Sequence, residues 1–242
     1  MAKQFVYHAL FPREARSMFS RSAEEYLEAI YRLEGAAEGG MVPLSTLAEH
    51  LAVSAVSANQ MVRRLEERGL LTYIPYRGVA LSEDGRAKAA GLIRRHRLWE
   101  RFLADVLGLP WDQVHEEACR LEHATSPLVE AHLARFLEEP QTCPHGHPVP
   151  SEDGATLAQG RLSLMDVEPG EQVRVLSVPE RDPDLLRYLG QMGLEPGATV
   201  QVESRAPFGG VLTLVVGGVR HALGKEVAQE IRVQPLSLEE QP

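Results

Sequence analysis

The stretch from Val114 to His123 reads V-H-E-E-A-C-R-L-E-H. In it His115, Cys119, Glu122 and His123 fall at i, i+4, i+7 and i+8, positions that share one face of an α-helix. An ordinary core helix carries Leu and Val on such a face. Here the face carries two imidazoles, a thiol and a carboxylate, and a shared cation is the chemical reason to group such donors. A second pair, His96 and Glu100, sits at i, i+4 in R-R-H-R-L-W-E-R-F-L. One His–Glu pair at helical spacing is ordinarily a solvated surface pair, but six donor-type residues on two neighbouring helical stretches predict a transition-metal site spanning both. The H-E-x-x-H spacing of a zinc protease is absent, and so is a C-x-x-C pair. Mixed N, O and S donors suit a divalent first-row metal better than magnesium or calcium.

Those donors need elements to hold them. From Ser22, S-A-E-E-Y-L-E-A-I-Y-R-L offers an N-cap serine, Glu25 at N3 as a capping box, and an apolar face of Tyr26, Leu27, Ile30, Tyr31 and Leu33. V-P-L-S-T-L-A-E-H-L-A-V predicts a second helix, capped by Ser45, with Leu44, Leu47, Ala48 and Leu51 turned inward. S-A-V-S-A-N-Q-M-V-R-R-L-E-E-R-G predicts a third, closed by Gly69, with Met61, Val62, Leu65 and the following Leu70 facing a core. Two short helices joined by a tight turn form a helix-turn-helix. Its second helix offers Ser54, Val56, Ser57, Asn59, Gln60, Arg63 and Arg64 as a DNA face, with no acid between 54 and 65. L-T-Y-I-P-Y-R-G-V-A-L-S then predicts a β-hairpin with Arg77-Gly78 at its tip, placing Tyr76 and Arg77 at backbone phosphates and completing a winged helix.

Beyond the wing, one long helix runs to Gly108-Leu109-Pro110, the donor-bearing helix follows, and S-P-L-V-E-A-H-L-A-R-F-L supplies a third. Together they predict a sensing and dimerisation module. Residues 138–160 are rich in Pro and Gly and read as a linker, although C-P-H-G-H places Cys143, His145 and His147 there as candidate donors to a second site. From Leu162 short β-branched runs broken by Gly and Pro predict four or five strands, most simply a small SH3-like barrel, with one short helix from Asp182 to Gly193. The fold class is therefore mainly α with a β C-terminal domain. The expected boundaries are an arm at 1–21, a winged-helix DNA-binding domain at 22–90, a helical dimerisation and metal-binding domain at 91–140, a linker at 141–160 and the barrel at 161–236.

With 44% hydrophobic residues in 242, the chain can bury a real core, and it has no apolar run of transmembrane length. Lacking a secretory apolar stretch near its start, it is expected to be cytoplasmic, and a reducing cytosol argues against a disulfide between Cys119 and Cys143, its two cysteines. The net charge of −9 is unevenly spread: residues 1–97 carry 14 Lys/Arg and 11 Asp/Glu, and the rest carry 11 and 23. DNA contact is expected from the basic first part, while the acidic remainder is free to collect cations.

On R-H-R-L-W-E-R-F-L, V-H-E-E-A-C-R-L-E-H and the wing Y-R-G-V-A-L-S-E-D-G, the chain resembles the diphtheria-toxin-repressor family of iron- and manganese-dependent transcriptional regulators, from about Ser22 to its end. The resemblance implies a winged helix, dimerisation helices and a C-terminal SH3-like, FeoA-type domain. It implies a primary metal site at Cys119, Glu122 and His123, joined by a residue of the first helix. That residue is Glu25, followed one turn later by Glu28, where iron-type members carry Met; manganese-type members carry carboxylates at both places but usually have Glu where Cys119 stands. The hard oxygen of Glu25 favours manganese or iron and the softer Cys119 favours iron, cobalt or zinc, which puts manganese first and iron second. An ancillary site is similar to His96, Glu100 and His115 in iron-type members; others build it from Cys143 and His145 with an acid near Glu180. Glu180 falls where the iron type has a Gln ligand, and Ser177 stands in place of its neighbouring carboxylate.

The expected function is that of a repressor binding operator DNA as a homodimer when loaded with Mn(II) or Fe(II), with no membrane, no small-molecule substrate and no catalysis. Two alternatives have different signatures. A metallohydrolase would need an open coordination position and a free general base, and the sequence has no nucleophile elbow or P-loop. A metal-independent winged-helix regulator would use its His/Cys/Glu face structurally.

Overall fold

The computed structural model describes residues 20–35, 38–156, 160, 162–207 and 210–236. Residues 1–19, most of the expected arm, lie outside the described residues. The chain divides between Ala89 and Ala90 into two compact units.

The first unit is a winged helix. Its helices are α1 (Arg21–Glu34), α2 (Leu44–His50) and α3 (Ala55–Glu67), followed by the antiparallel strands β1 (Leu71–Ile74) and β2 (Gly78–Leu81). Tyr26, Leu27 and Ile30 of α1 pack into one core with Leu47, Ala58, Val62, Leu65 and Val79. Each such fully buried Leu or Ile contributes roughly 1.5–3 kcal/mol. Two expected caps move. α1 starts one residue after Ser20, whose Oγ accepts from Ala23 N at 3.4 Å, so Ser22 is not the N-cap and Glu25 does not close a capping box. α2 starts after Pro43, whose carbonyl accepts from Leu47 N at 3.0 Å, so Ser45 lies inside the helix. The wing tip is Pro75-Tyr76-Arg77 rather than Arg77-Gly78, because Gly78 already pairs with Ile74.

Glu34 closes α1 as a buried carboxylate. It accepts from Leu81 N at 2.6 Å and from Arg86 Nη2 at 2.5 Å, tying α1 to β2 and to the helix that follows. That helix, α4 (Glu83–Arg101), widens into a π-helical turn at Phe102–Val106 and ends at Gly108, whose φ is +69°.

In the second unit α4 is followed by α5 (Val114–Leu121), a 3-10 turn at Glu122–Ala124, and α6 (Pro127–Phe136), capped by Ser126. α5 is shorter than the spacing rule expects. Glu122 and His123 fall in the tighter turn, so the four donors do not share one continuous α-helical stripe. The segment read as a linker is folded. Thr142 bridges Pro148, Cys143 N donates to His147 O at 2.9 Å, and Gly146 (φ +85°) lies so close to β3 that a Cβ there would meet Leu176 O at 1.9 Å. This close packing explains why helices and barrel form one compact unit.

The C-terminal part is SH3-like. β3 (Gln172–Ser177), α7 (Pro183–Gln191), β4 (Thr199–Arg205), β5 (Leu212–Val216), β6 (Val219–Leu223), α8 (Lys225–Glu230) and β7 (Arg232–Pro235) give an antiparallel sheet of order β6-β5-β4-β3-β7. Alternation puts Val173, Val175, Val200, Val202, Leu212 and Leu214 inward with Leu186 and Leu189 of α7. Among the described residues no helix is long and apolar enough to cross a membrane.

Gly85, in the first turn of α4, discriminates between two physical effects. Helix propensity alone makes Gly85→Ala stabilising by about 1 kcal/mol. A Cβ there, however, would meet Leu70 O at 1.8 Å. The expected result is destabilisation by more than about 1 kcal/mol, read by chemical denaturation of the full chain.

Candidate metal centre

The centre is built from the middle of α4 outward. His96 and Glu100, one turn apart, are completely buried. His96 Nε2 lies 3.0 Å from Glu100 Oε1 and 3.0 Å from His115 Nδ1, and His115 Nδ1 is 3.1 Å from the same Glu100 oxygen. On its other edge His96 Nδ1 meets Glu122 Oε2 at 2.6 Å and the Cys119 sulfur at 3.8 Å. The sulfur is 3.9 Å from His115 Nε2, and His123 Nε2 is 3.2 Å from Glu122 Oε1. His96 therefore joins the donors assigned by resemblance to a primary site (Cys119, Glu122, His123) to those assigned to an ancillary one (Glu100, His115).

A second donor set reaches Glu100 from the folded segment and the barrel. His145 Nδ1 is 3.4 Å from Glu100 Oε1, 3.9 Å from the Cys143 sulfur and 4.0 Å from Glu180 Oε2. Its Nε2 donates to Trp111 O at 2.8 Å, which fixes the ring and leaves Nδ1 facing the donors. His147 Nε2 reaches Val178 O at 2.9 Å and Glu180 Oε2 at 3.4 Å. Ligand atoms of Glu100, Cys143, His145 and Glu180, all four residues buried, lie within 4.8 Å of one another; so do those of His96, His115 and Cys119. Ser177, at the position of the missing carboxylate ligand, is buried with an Oγ that has no hydrogen-bond partner.

The electrostatics follow from burial opposed by neighbours. Burial disfavours the charge on His96, but Glu100, Cys119 and Glu122 outweigh it and raise its pKa well above the usual imidazole value. Burial likewise opposes the Glu100 carboxylate, and His96, His115 and His145 hold it well below the carboxylate range. His145 is pushed up to about 10: burial works against its charge, and Cys143 and Glu100 favour it. For Cys119, burial raises the thiol while hydrogen bonds and charge from His115 and His96 bring it down to about 7.

These residues fit a divalent cation. Glu100 Oε2 is sealed from solvent without a hydrogen-bond partner, a costly position for a carboxylate oxygen that coordination would relieve. Imidazole, thiolate and carboxylate together match a first-row transition metal. Glu25 and Glu28 belong to the first unit. There Glu25 is half-buried and paired with Arg21 at 3.0 Å, and Glu28 is buried and paired with Arg32 at 2.7 Å. The spacing rule missed the contribution of Trp111 O, a backbone acceptor that no residue type announces.

The residues expected to face DNA lie on the first unit. Ser54 is the N-cap of α3 and accepts from Ser57 N at 3.1 Å, so it precedes the helix rather than riding on it, and it stays exposed. Val56, Ser57, Asn59, Gln60, Arg63 and Arg64 are exposed along α3. Arg63 is oriented by Glu66 at 3.0 Å and by the Tyr73 ring at 4.5 Å. Tyr76 and Arg77 are exposed at the wing tip, with Tyr76 at φ +66°.

A cation entering this centre competes with the protons that neighbouring carboxylates and thiols favour on His96 and His145, and takes the Cys119 sulfur as thiolate. Affinity is expected to rise with pH between about 6 and 8, with about one or more protons released per cation. Calorimetric titration in buffers of different ionisation enthalpy measures this, and a pH-independent affinity would contradict it.

Three family descriptions match consecutive parts of the chain. They are the iron-dependent repressor N-terminal DNA-binding domain at 18–79, the iron-dependent repressor metal-binding and dimerisation domain at 82–151, and the FeoA domain at 162–235. The iron-dependent repressor IdeR of Mycobacterium tuberculosis is 39% identical over 227 residues, covering 88% of this chain and 96% of its own. The diphtheria toxin repressor of Corynebacterium diphtheriae is 32% identical over 226 residues, covering 89% and 97%. A manganese-dependent transcriptional repressor solved with manganese superposes with a TM-score of 0.82 at 34% identity, covering 88% of this chain and 100% of that one. ScaR with bound zinc gives 0.79 at 29% identity, covering 88% and 99%. With matches spanning its DNA-binding, metal-binding and FeoA parts, the chain belongs to the iron-dependent repressor family.

Proposed function

We propose that this chain represses transcription by binding a pseudo-palindromic operator as a homodimer when it holds a divalent transition metal, Mn(II) before Fe(II), and that it controls metal-homeostasis genes in the cytoplasm. The observation that carries the reading is a sealed set of N, O and S donors in a chain whose other unit exposes an acid-free recognition helix. The family is one of repressors, not of enzymes.

Within this reading Cys119, Glu122 and His123 serve a primary site. By the family pattern Glu25, with Glu28 one turn on, supplies the remaining oxygen from α1. Glu100, Cys143, His145 and Glu180 serve the ancillary site, supported by their mutual approach within 4.8 Å. His115 and His96 line the side of Glu100 turned toward the primary donors. A bound dication supplies charge neutralisation for the carboxylates and thiolates and cross-links the elements that carry them. Glu122 and Cys119 then cease to depend on His96 for compensation. Two recognition helices in a two-fold dimer enter successive major grooves only when their spacing is fixed, and metal loading selects that arrangement.

α6 supports self-association. Leu128, Val129 and Phe136 are exposed apolar side chains on one short helix. In this reading Asn59 and Gln60 serve base edges and Arg63, Arg64 and Arg77 serve phosphates, supported by their exposure on α3 and the wing tip.

The test is a footprint or gel shift with the full chain at controlled free manganese, iron and zinc. Protection is expected only with metal, and Glu122→Ala is expected to abolish it while leaving the protein folded. Unchanged metal-dependent binding by Glu122→Ala would sink the site assignment. Equal protection with chelator present would establish a metal-independent regulator instead.

A further inference from the structure

Arg94, Arg97 and Arg101 fall at i, i+3 and i+7 of α4, one stripe of the helix. Arg94 Nη1 donates to Pro150 O at 2.7 Å, and Arg97 Nη1 donates to Pro148 O. Arg101 Nε donates to Thr142 O at 2.7 Å, and its Nη2 reaches Thr142 Oγ1 at 3.4 Å. The three guanidiniums thus hold both ends of the 142–150 segment, whose interior carries Cys143 and His145. Prolines 144, 148 and 150 have no N–H, so the segment fastens itself largely through its carbonyls. Its turn is closed by Gly146 N donating to Cys143 O and by Val149 N donating to Gln141 O, each at 2.9 Å.

Arg94 and Arg97 are each only 8% exposed. Cohesion alone does not require charge there, since an apolar side chain of similar volume holds a buried seam without the desolvation cost. What charge adds is direction: a fork of N–H donors fixes a carbonyl in place, while the charge of Arg94 is met by Glu130 at 3.4 Å and Glu139 at 3.0 Å and that of Arg101 by Asp105 at 3.4 Å.

We propose that Arg94, Arg97 and Arg101 are positioning residues of the Glu100–Cys143–His145–Glu180 site, holding the 142–150 segment so that Cys143 and His145 meet Glu100 before a cation arrives. The proposal rests on the reading that this quartet binds metal, and the experiment separates the two. Cobalt(II) is titrated into the chelated full chain carrying Cys119→Ser, whose one remaining thiol is Cys143, and thiolate-to-cobalt absorption is followed. If no such band forms in this parent, the quartet is not a metal site and the underlying reading fails. If it forms, adding Arg97→Met is expected to weaken cobalt binding by about 10- to 100-fold, the range for groups that orient metal ligands. Arg97→Lys is expected to restore part of the loss. In a Cys143→Ser background, where the band reports Cys119, Arg97→Met is expected to leave cobalt affinity nearly unchanged. Unaltered affinity at Cys143, or equal losses at both thiols, overturns the proposal. Should Arg97→Met fail to fold, Arg101→Met, at a partly exposed side chain, carries the same comparison with the same expected direction.

Discussion

The larger unit is organised around one carboxylate without water. Glu100 is fully buried and ionised, and leaving such a charge uncompensated costs several kcal/mol. The compensation is imidazole: His96, His115 and His145 reach the same oxygen at 3.0, 3.1 and 3.4 Å. These rings come from α4, α5 and the folded segment, so satisfying one charge fixes the relation of three elements. The apolar packing of the helical part is thin by comparison. Its clusters centre on Leu98, Leu133, Ala134 and Val149, and on Leu103, Val114 and Ala118, whereas the barrel closes over a continuous core of valines and leucines. Polar contacts therefore carry a larger share of cohesion where the donors are, and that region answers to charge more than to burial.

The first unit obeys the opposite logic. Its core is apolar, its buried acids are paired (Glu34 with a backbone N–H and an arginine, Glu28 with Arg32), and the exposed residues of α3 and the wing carry its outward charges. A DNA-reading surface must be rigid in the absence of ligand, and a metal sensor must be unsatisfied in its absence. Separate compact units meet both demands in one chain. Ala52 and Tyr76 depart from ease in the first unit, both at positive φ. A tyrosine at φ +66° costs roughly 1 kcal/mol or more that Gly or Asn would not incur there, and its ring packs against nothing that repays it.

Much of this was legible in the sequence because period and punctuation carry it. The apolar faces of α1 and α3, the stop at Gly108 and the alternation of β3 follow directly from residue spacing. The cap at Ser20 escaped because Ser22 is equally good by type, and the start at Pro43 because Ser45 is the better cap by type; only backbone hydrogen bonding decides between neighbours. The donors His96, Glu100, His115 and Cys119 were legible as ligand types on two neighbouring helical stretches, and the resemblance grouped the first three. Spacing along one helix treats His115, Cys119, Glu122 and His123 as one stripe, while the tighter turn after Leu121 breaks it and His96, from another helix, stands among them. The segment at 142–150 was hardest to read, since Pro and Gly mark both a loose linker and a tightly folded one. Only a tertiary contact, Gly146 against Leu176, tells them apart.

The two thiols sharpen the question of which cation matters. Neither donor set is all oxygen: Cys119 stands with His96 and His115, and Cys143 stands with His145 and two carboxylates. Affinity at such mixed sites rises along the first row toward copper, with manganese weakest, and thiolate steepens the trend for zinc. Tightness of binding therefore does not select manganese. Selection must come from supply and from geometry, because a cation that satisfies the thiolates with four ligands leaves carboxylates uncoordinated, whereas one that demands more ligands draws them in. On the proposed ligand assignment, the carboxylates rather than the cysteines then separate a bound metal from an activating one, and the discriminating chemistry falls to Glu100, Glu122 and Glu180 and, on the family pattern, to Glu25.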